Sequence, residues 1–203
     1  MPTATGATNT GKGKPSGRME EILTCAANLF YKKGYHVTTI EDLANEVGML
    51  KGSLYYYIKS KEDLLYQLLL DVIVAGQLRV SERIRGIEDP VEQLTIGLEE
   101  HIEYIIENQV RVGLFLHEFD VFAGRRRGRI EEEMTKYQKL FVDIVLNGQK
   151  QKKFGDLDPW LIVDGFLGMC NWIYRWYPGE KSPSVELVKK TFTAMVLNGI
   201  TRR

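Results

Sequence analysis

Apolar side chains recur every three to four residues along most of the chain, the period of a helix packed on one face. Ile22, Ala26, Leu29 and Phe30 form the first such stripe, and Gly34 ends it. Thr39, with Asp42 three residues on, predicts the capped start of a short second helix. Ile40, Leu43, Ala44 and Val47 are its apolar positions, and Gly48 closes it. Ser60 with Asp63 repeats the capping pattern ahead of the apolar-rich run LLYQLLLDVIVAGQL. Asp89-Pro90, Asp158-Pro159 and Ser182-Pro183 each set a capping residue before a proline, which suits the first helical position. No alternating strand pattern of useful length is present. The expected fold is all-α with about nine helices. Short helices give way to long ones near Lys59 to Asp63, so residues 18–62 are expected to form an N-terminal unit and residues 63–203 a larger C-terminal one.

Composition narrows the class. A hydrophobic content of 44% supplies a sizeable core, and charged residues at 27% are ordinary for a globular protein. No uninterrupted apolar run reaches the roughly 18 residues of a membrane span, and no leader pattern is read at the start, so no membrane partner is expected. Cys25 and Cys170 have neither metal spacing nor the makings of a disulfide framework, which points to a reducing cytoplasm. Residues 1–17 are small, polar and breaker-rich and are expected to be a flexible tail; Lys12 and Lys14 are its cations.

Charge is balanced overall, with 27 basic and 27 acidic residues, but it is not evenly spread. The run VGMLKGSLYYYIKSK, Val47 to Lys61, contains three lysines and no acid. Two short helices joined by a tight turn at Gly48 make a helix-turn-helix, in which the second helix enters the major groove of DNA. A helix with that task should be short, lack acids and turn small or hydrogen-bonding residues outward. Lys51 to Tyr57 does so: Leu54 points to the core, Gly52, Ser53 and Tyr56 face outward, and Tyr55 and Tyr57 lie on the flanks.

The stretch GYHVTTIEDLANEVGMLKGSLYYYIKSKEDLL, Gly34 to Leu65, closely resembles the DNA-binding domain of TetR-family transcriptional repressors. The resemblance implies an N-terminal helix-turn-helix head and a divergent C-terminal helical body that binds a ligand and dimerises. It implies that Thr39 caps the second helix and contacts phosphate, and that Lys51 and Ser53 face bases or backbone. It further implies that Gly52 permits close approach and that Tyr55, Tyr56 and Lys61 hold phosphates, with Thr38 a further contact. Leu50 departs from the pattern, because a capping, phosphate-binding serine commonly stands there; losing such a cap costs on the order of 1 kcal/mol. Tyr57 and Ile58 depart as well.

In the body, WLIVDGFLGMCNWIYRWY is apolar nearly all round, the mark of a helix buried on several sides. Val185, Val188, Phe192, Met195 and Val196 stripe the next helix. By resemblance these two helices form the homodimer interface, through Trp160, Val163, Phe166, Leu167, Trp176, Val188, Phe192 and Met195. The run VRVGLFLHEFDVFAG supplies Phe115, Phe119 and Phe122 for an apolar effector cavity. Arg125, Arg126, Arg127 and Arg129 cluster at a helix start, where cations oppose the helix dipole, and so suggest an anionic partner. The Asn-Trp, two residues, Arg-Trp-Tyr-Pro run resembles a TetR subgroup, controlling lipid, aromatic-acid and steroid degradation, that acyl-coenzyme A thioesters release from DNA. That subgroup implies Arg125, Arg126 and Arg129 as ligand contacts, and Trp172 and Arg175 as ligand contacts or interface. The expected function is a regulator that binds a pseudo-palindromic operator as a dimer and is released by an acyl-coenzyme A thioester, with a free fatty acid or hydrophobic drug as the alternative effector. No catalytic residue, metal or cofactor is expected: the three histidines share no metal spacing, and a small enzyme using His117 and Glu118 is the remote alternative.

Overall fold

The computed structural model describes residues 15–177 and 183–201. The expected tail therefore lies outside the described residues except for residues 15–17, which belong to the first helix. The order is α1 (Pro15–Lys33), α2 (Ile40–Glu46), α3 (Lys51–Leu54), α4 (Lys61–Arg83), α5 (Pro90–Glu107) and α6 (Gln109–Glu118). A 3-10 turn (Phe119–Val121) leads to α7 (Gly124–Lys150), α8 (Pro159–Asn171), α9 (Ile173–Trp176) and α10 (Val185–Ile200). Trp172 alone separates α8 from α9, and counting the pair as one broken helix gives nine. Among the described residues there is no strand, only an isolated antiparallel bridge between Phe154 and Thr201.

The helix starts follow the side chains that satisfy their first N–H groups. Thr39 and Asp42 form a reciprocal capping box on α2. Ser60 accepts from the Asp63 N–H, Asp89 from Val91 and Glu92, and Asp158 from Leu161. The α10 cap is Ser184, which accepts from the Leu187 N–H, rather than Ser182, which lies outside the described residues. The cap at α2 is reinforced electrostatically. Lys33 Nζ sits 2.6 Å from Asp42 and, together with the Thr39 N–H and hydroxyl, holds that carboxyl down at about 2.

Packing joins the two units. α1 rests on α2, α4 and α6; α4 rests on α5, α6 and α7; α5 rests on α7, α8 and α10. α4 runs unbroken across the boundary expected at 62/63, so the head and body share a helix. By length and composition α4 could cross a membrane, but Leu64, Leu65, Leu68, Leu69, Val72 and Ile73 are buried in the protein core. Glu100 on α5 is buried with its charge matched. Arg79 Nε lies 2.9 Å and Arg83 Nε 2.8 Å from its two oxygens. Burial alone would raise that carboxyl, and the two arginines outweigh it and hold it low.

The end of α7 is closed by a ring. Phe154 is buried and folds back over Gly148, where an added Cβ would lie 2.0 Å from it. Gly155 N–H then donates to Ile200 O at 2.7 Å, fastening the end of α10 to the same corner. Gly148→Ala is expected to destabilise the protein by about 1–3 kcal/mol through overpacking, read as a lower midpoint in urea or thermal unfolding; an unchanged midpoint refutes this account of the corner.

Candidate nucleic-acid interface and internal cavity

The head presents α3 on a tight support. α2 ends at Val47, Gly48 turns the chain at φ 65°, and Met49 N–H returns to Ala44 O at 2.8 Å. Leu54 and Ile58 are buried, which fixes the opposite face outward. Thr39, Lys51, Gly52, Ser53, Tyr55 and Lys59 are exposed, and Tyr56 is 86% exposed. Lys51 and Lys59 have no acidic partner among the described residues. Gly52 is helical, and a Cβ there would meet nothing in the protomer. A glycine inside a helix costs about 1 kcal/mol relative to alanine, and nothing within the chain requires it.

Two residues expected on this face are used inside the protein. Thr38 is buried and its hydroxyl donates to Gly34 O at 2.7 Å, so it faces the α1–α2 turn rather than solvent. Lys61 Nζ donates to Tyr35 O and Thr38 O at 2.8 Å and to His36 O at 3.3 Å, and lies 4.4 Å from the Tyr35 ring centre. Its three donors bind the turn that orients α2, so the phosphate role expected of it is corrected to a structural one. Partial burial lowers its pKa. No side chain replaces the missing cap at Leu50: the residue makes no side-chain capping bond and is 80% exposed.

The body holds a cavity of about 270 Å³, partly open to solvent. Val72 and Ile73 of α4, Ile105 of α5, Val112 and Phe115 of α6, and Met134 of α7 make its walls apolar. Asp164, Gly168 and Asn171 of α8 edge it, and Gln138 Nε2 donates to Asp164 at 2.7 Å. The polar lining includes the buried Tyr104 and His101 and the partly buried Tyr137. The Tyr104 hydroxyl donates to Val72 O at 2.8 Å. His101 Nδ1 lies 2.8 Å from the Tyr137 hydroxyl. Burial drives the imidazole down to about 4 and pushes the Tyr137 phenol up, so both are neutral near pH 7.

Of the residues expected to hold a ligand, Phe115 alone lines this cavity. Phe119 stacks beside it, ring centres 5.9 Å apart, beneath the Arg127 guanidinium. Phe122 is buried against Tyr66, outside the cavity. Arg126 is committed to Glu62 at 2.8 Å and to Asp63, tying α7 to the start of α4. Arg129 is committed to Glu132 at 2.9 Å and Glu133 at 2.7 Å. These pairs offset part of the conflict with the helix dipole inside the chain. Arg125 is exposed. Trp172 is 60% exposed, and Arg175 lines a different groove beside Tyr31, His117 and Glu118. The residues missed, His101, Tyr137, Gln138 and Asp164, come from helices far apart in sequence, and a lone histidine in an apolar helical pattern reads as core.

The expected interface also divides. Val163, Phe166, Leu167 and Val188 are buried within the protomer, and Leu167 lines the cavity. Trp160, Trp176 and Met195 are exposed, joined by Leu161 and Leu187, while Phe192 is partly buried with its ring 6.2 Å from Trp176. His117 Nε2 is bound to the Tyr174 hydroxyl at 2.9 Å, and no metal-type cluster exists among the described residues.

α6 links cavity and head. Val112 and Phe115 face the cavity, while Gly113 meets α1: a Cβ there would lie 2.6 Å from the Tyr31 ring and 2.9 Å from Tyr174. His36 beyond α1 lies 3.8 Å from Glu118.

A groove-sized helix displayed on a compact head, which shares α4 with a body holding an apolar cavity, is the layout of a ligand-responsive DNA-binding protein. Residues 22–68 match the family model described as bacterial regulatory proteins, tetR family, and residues 88–200 match the tetracyclin repressor-like C-terminal domain. The HTH-type transcriptional repressor KstR2 of Mycolicibacterium smegmatis is 31% identical over 93% of each chain. Among solved structures, the ketosteroid transcriptional regulator KstR2 of Mycobacterium tuberculosis superposes with a TM-score of 0.83 at 28% identity, over 92% of this chain and 96% of that one. AibR in complex with isovaleryl coenzyme A and operator DNA gives 0.81 at 27% identity, over 88% and 97%. The chain belongs to the TetR family and is a transcriptional regulator rather than an enzyme.

Lys61→Ala is expected to lower folding stability by roughly 2 kcal/mol, since it removes three hydrogen bonds to the carbonyls of the turn, whereas Tyr55→Phe should leave stability unchanged and weaken operator binding; thermal melts and anisotropy titrations that reverse this pattern overturn both assignments. His101 generates a pH signature. Its folded value of about 4 lies below the ordinary 6.5, so the unfolded chain takes up the proton first. Its effect on stability is nil above pH 6.5, and stability falls as pH drops from there towards 4. His101→Phe should flatten that part of the curve relative to the parent protein.

Proposed function

We propose that the protein is a dimeric transcriptional repressor released from its operator when an acyl-coenzyme A thioester places its acyl group in the cavity. The observation that carries this reading is the position of α6, which forms a cavity wall on one side and bears on α1 of the head through Gly113 on the other. An acyl group that fills the cavity displaces α6 only by moving α1, and with it the helix aimed at DNA. At about 270 Å³ the cavity falls just below the ~300–1,000 Å³ typical of small-molecule sites. It suits the acyl portion, leaving the coenzyme at the edge formed by α8. The AibR complex with isovaleryl coenzyme A and operator DNA, similar along most of its length, supports the same class of effector.

Dimerisation through the exposed apolar side chains of α8, α9 and α10 would set two recognition helices on half-sites about 34–36 Å apart. Thr39, Lys51, Gly52, Ser53, Tyr55 and Tyr56 are the proposed contacts. Ligand and operator then oppose one another reciprocally, because each favours a different subunit arrangement. A second reading has its own support. Arg126 and Arg129 are taken up by ion pairs, which removes part of the phosphate grip first expected and favours a free acid or a hydrophobic drug. Thermal shift and operator anisotropy with isovaleryl- and octanoyl-coenzyme A, the matching free acids and a set of cationic dyes separate the two. The thioesters are expected to raise the melting temperature and release operator. Release by free acids or dyes alone defeats the thioester reading, and a ligand that binds without changing operator affinity is not the effector.

A further inference from the structure

Leu50 stands where a polar side chain is expected, and the protomer leaves it uncovered. It precedes α3 in an extended conformation, φ −69° and ψ 143°, makes no side-chain capping bond and is 80% exposed. Its backbone is fully used: Leu50 O accepts from the Ser53 N–H at 2.9 Å and from the Leu54 N–H at 3.1 Å. α3 therefore starts at this residue without help from the leucine side chain. The residues that follow it turn outward too. Lys51, Gly52 and Ser53 are exposed, whereas Met49 before it packs partly on the core. Leu50 thus extends, with an apolar group, the surface that α3 presents to DNA. A lone exposed leucine is ordinary on a protein surface, but one that enters a major groove has little choice of partner.

Resting on the reading of α3 as the helix that enters the major groove, we infer that Leu50 reads sequence, by seating its side chain against the C5 methyl of a thymine in each operator half-site. Residues at the start of a recognition helix are the ones that reach base edges. The groove displays hydrogen-bonding groups on every base: N7 and O6 of guanine, N4 of cytosine, N7 and N6 of adenine, and O4 of thymine. Leucine can bond none of these, and it strands whichever of them it covers. The thymine methyl is the apolar group of the set, and contact with it takes two hydrocarbon surfaces out of water together. Lys51 and Ser53 on either side of the exposed Gly52 are left to bond neighbouring base edges or phosphates. Leu50 is therefore a specificity-determining residue whose partner is a methyl group on the DNA, not a group within the protomer.

Duplexes that the parent protein enriches from a randomised pool supply the operator. Each thymine in it is then replaced in turn by deoxyuridine, which deletes the methyl and keeps the base pairing. Anisotropy titrations of these duplexes at one salt concentration, with the parent, Leu50→Ala and Leu50→Ser, form a double-mutant cycle. Both variants should melt with the parent, since the side chain they shorten is exposed. At one thymine per half-site, deoxyuridine is expected to weaken parent binding about fourfold, the worth of one buried methyl, and about sixteenfold when both half-sites are changed. Leu50→Ala and Leu50→Ser should bind the thymine and deoxyuridine duplexes equally, whatever their absolute affinity. Pools enriched by Leu50→Ser should lose the thymine at that position. A parent insensitive to deoxyuridine at every position overturns the inference. A methyl effect of the same size in both variants overturns it as well, and assigns the methyl to a neighbour such as the exposed Tyr56. The reading of α3 is judged by Lys51→Ala and Tyr55→Phe on the same duplex. If these weaken binding and the methyl effect is missing, the inference alone fails. If the parent enriches no sequence, or if these two and the Leu50 variants all bind as the parent does on every duplex, both fail.

Discussion

The approach of α6 to α1 at Gly113 is closer than any side chain would allow, and the functional layout follows from it. Tyr31 of α1 and Tyr174 of α9 occupy the space a Cβ would need. Close-packed interiors do not deform continuously, so a helix held this tightly moves with its neighbour or not at all. Since Val112 and Phe115 on the same helix wall the cavity, one ten-residue element touches both the cavity and the support of the DNA-reading head. α6 thus has two occupied faces, and α4, which walls the same cavity through Val72 and Ile73, also packs on α1.

Charge is distributed in a way that serves the same end. The net charge is zero, yet most arginines and several lysines are committed to carboxylates within the chain. Arg126 joins the start of α7 to the start of α4, and Arg79 and Arg83 neutralise the buried Glu100 between α4 and α5. Lys61 spends its ammonium on the turn that orients α2. Among the lysines left without an acidic partner on the head are Lys51 and Lys59, set beside exposed tyrosines in a run without acids. Field at the contact surface, rather than total charge, governs attraction to phosphate. A neutral protein can therefore keep a small positive face while its other cations hold the architecture together.

Local features were legible along the chain. Thr39 with Asp42, Ser60 with Asp63, Asp89-Pro90 and Asp158-Pro159 start helices as expected, because a cap is made between residues two or three apart and needs no tertiary partner. Gly48 turns the chain at a positive φ where the tight turn closing the second helix was expected. The head was readable for the same reason, being short, contiguous and locally encoded. Where expectation failed, the deciding partner was remote. Lys61 looks like a phosphate ligand until Tyr35, His36 and Thr38 fold onto it, and Arg126 looks like an anion site until Glu62 and Asp63 at the start of α4 meet it.

Apolar periodicity says that a residue is covered but not by what. Val163, Phe166 and Val188 have the pattern of an interface and turn out to be core, while Leu161 and Leu187 stand exposed. Phe122 and Phe115 read alike in one segment, yet one is packed on Tyr66 and the other faces the cavity. The cavity itself is assembled from α4, α5, α6, α7 and α8, so none of its polar residues announces itself by spacing. Chain-local chemistry settles helices, caps, turns and the acid-free face of the head, since each depends on neighbours a few residues away. Which buried histidine meets which tyrosine, and which glycine admits a neighbouring helix, emerges only when distant helices are brought into contact, because burial and hydrogen-bond partnership are properties of the packed assembly.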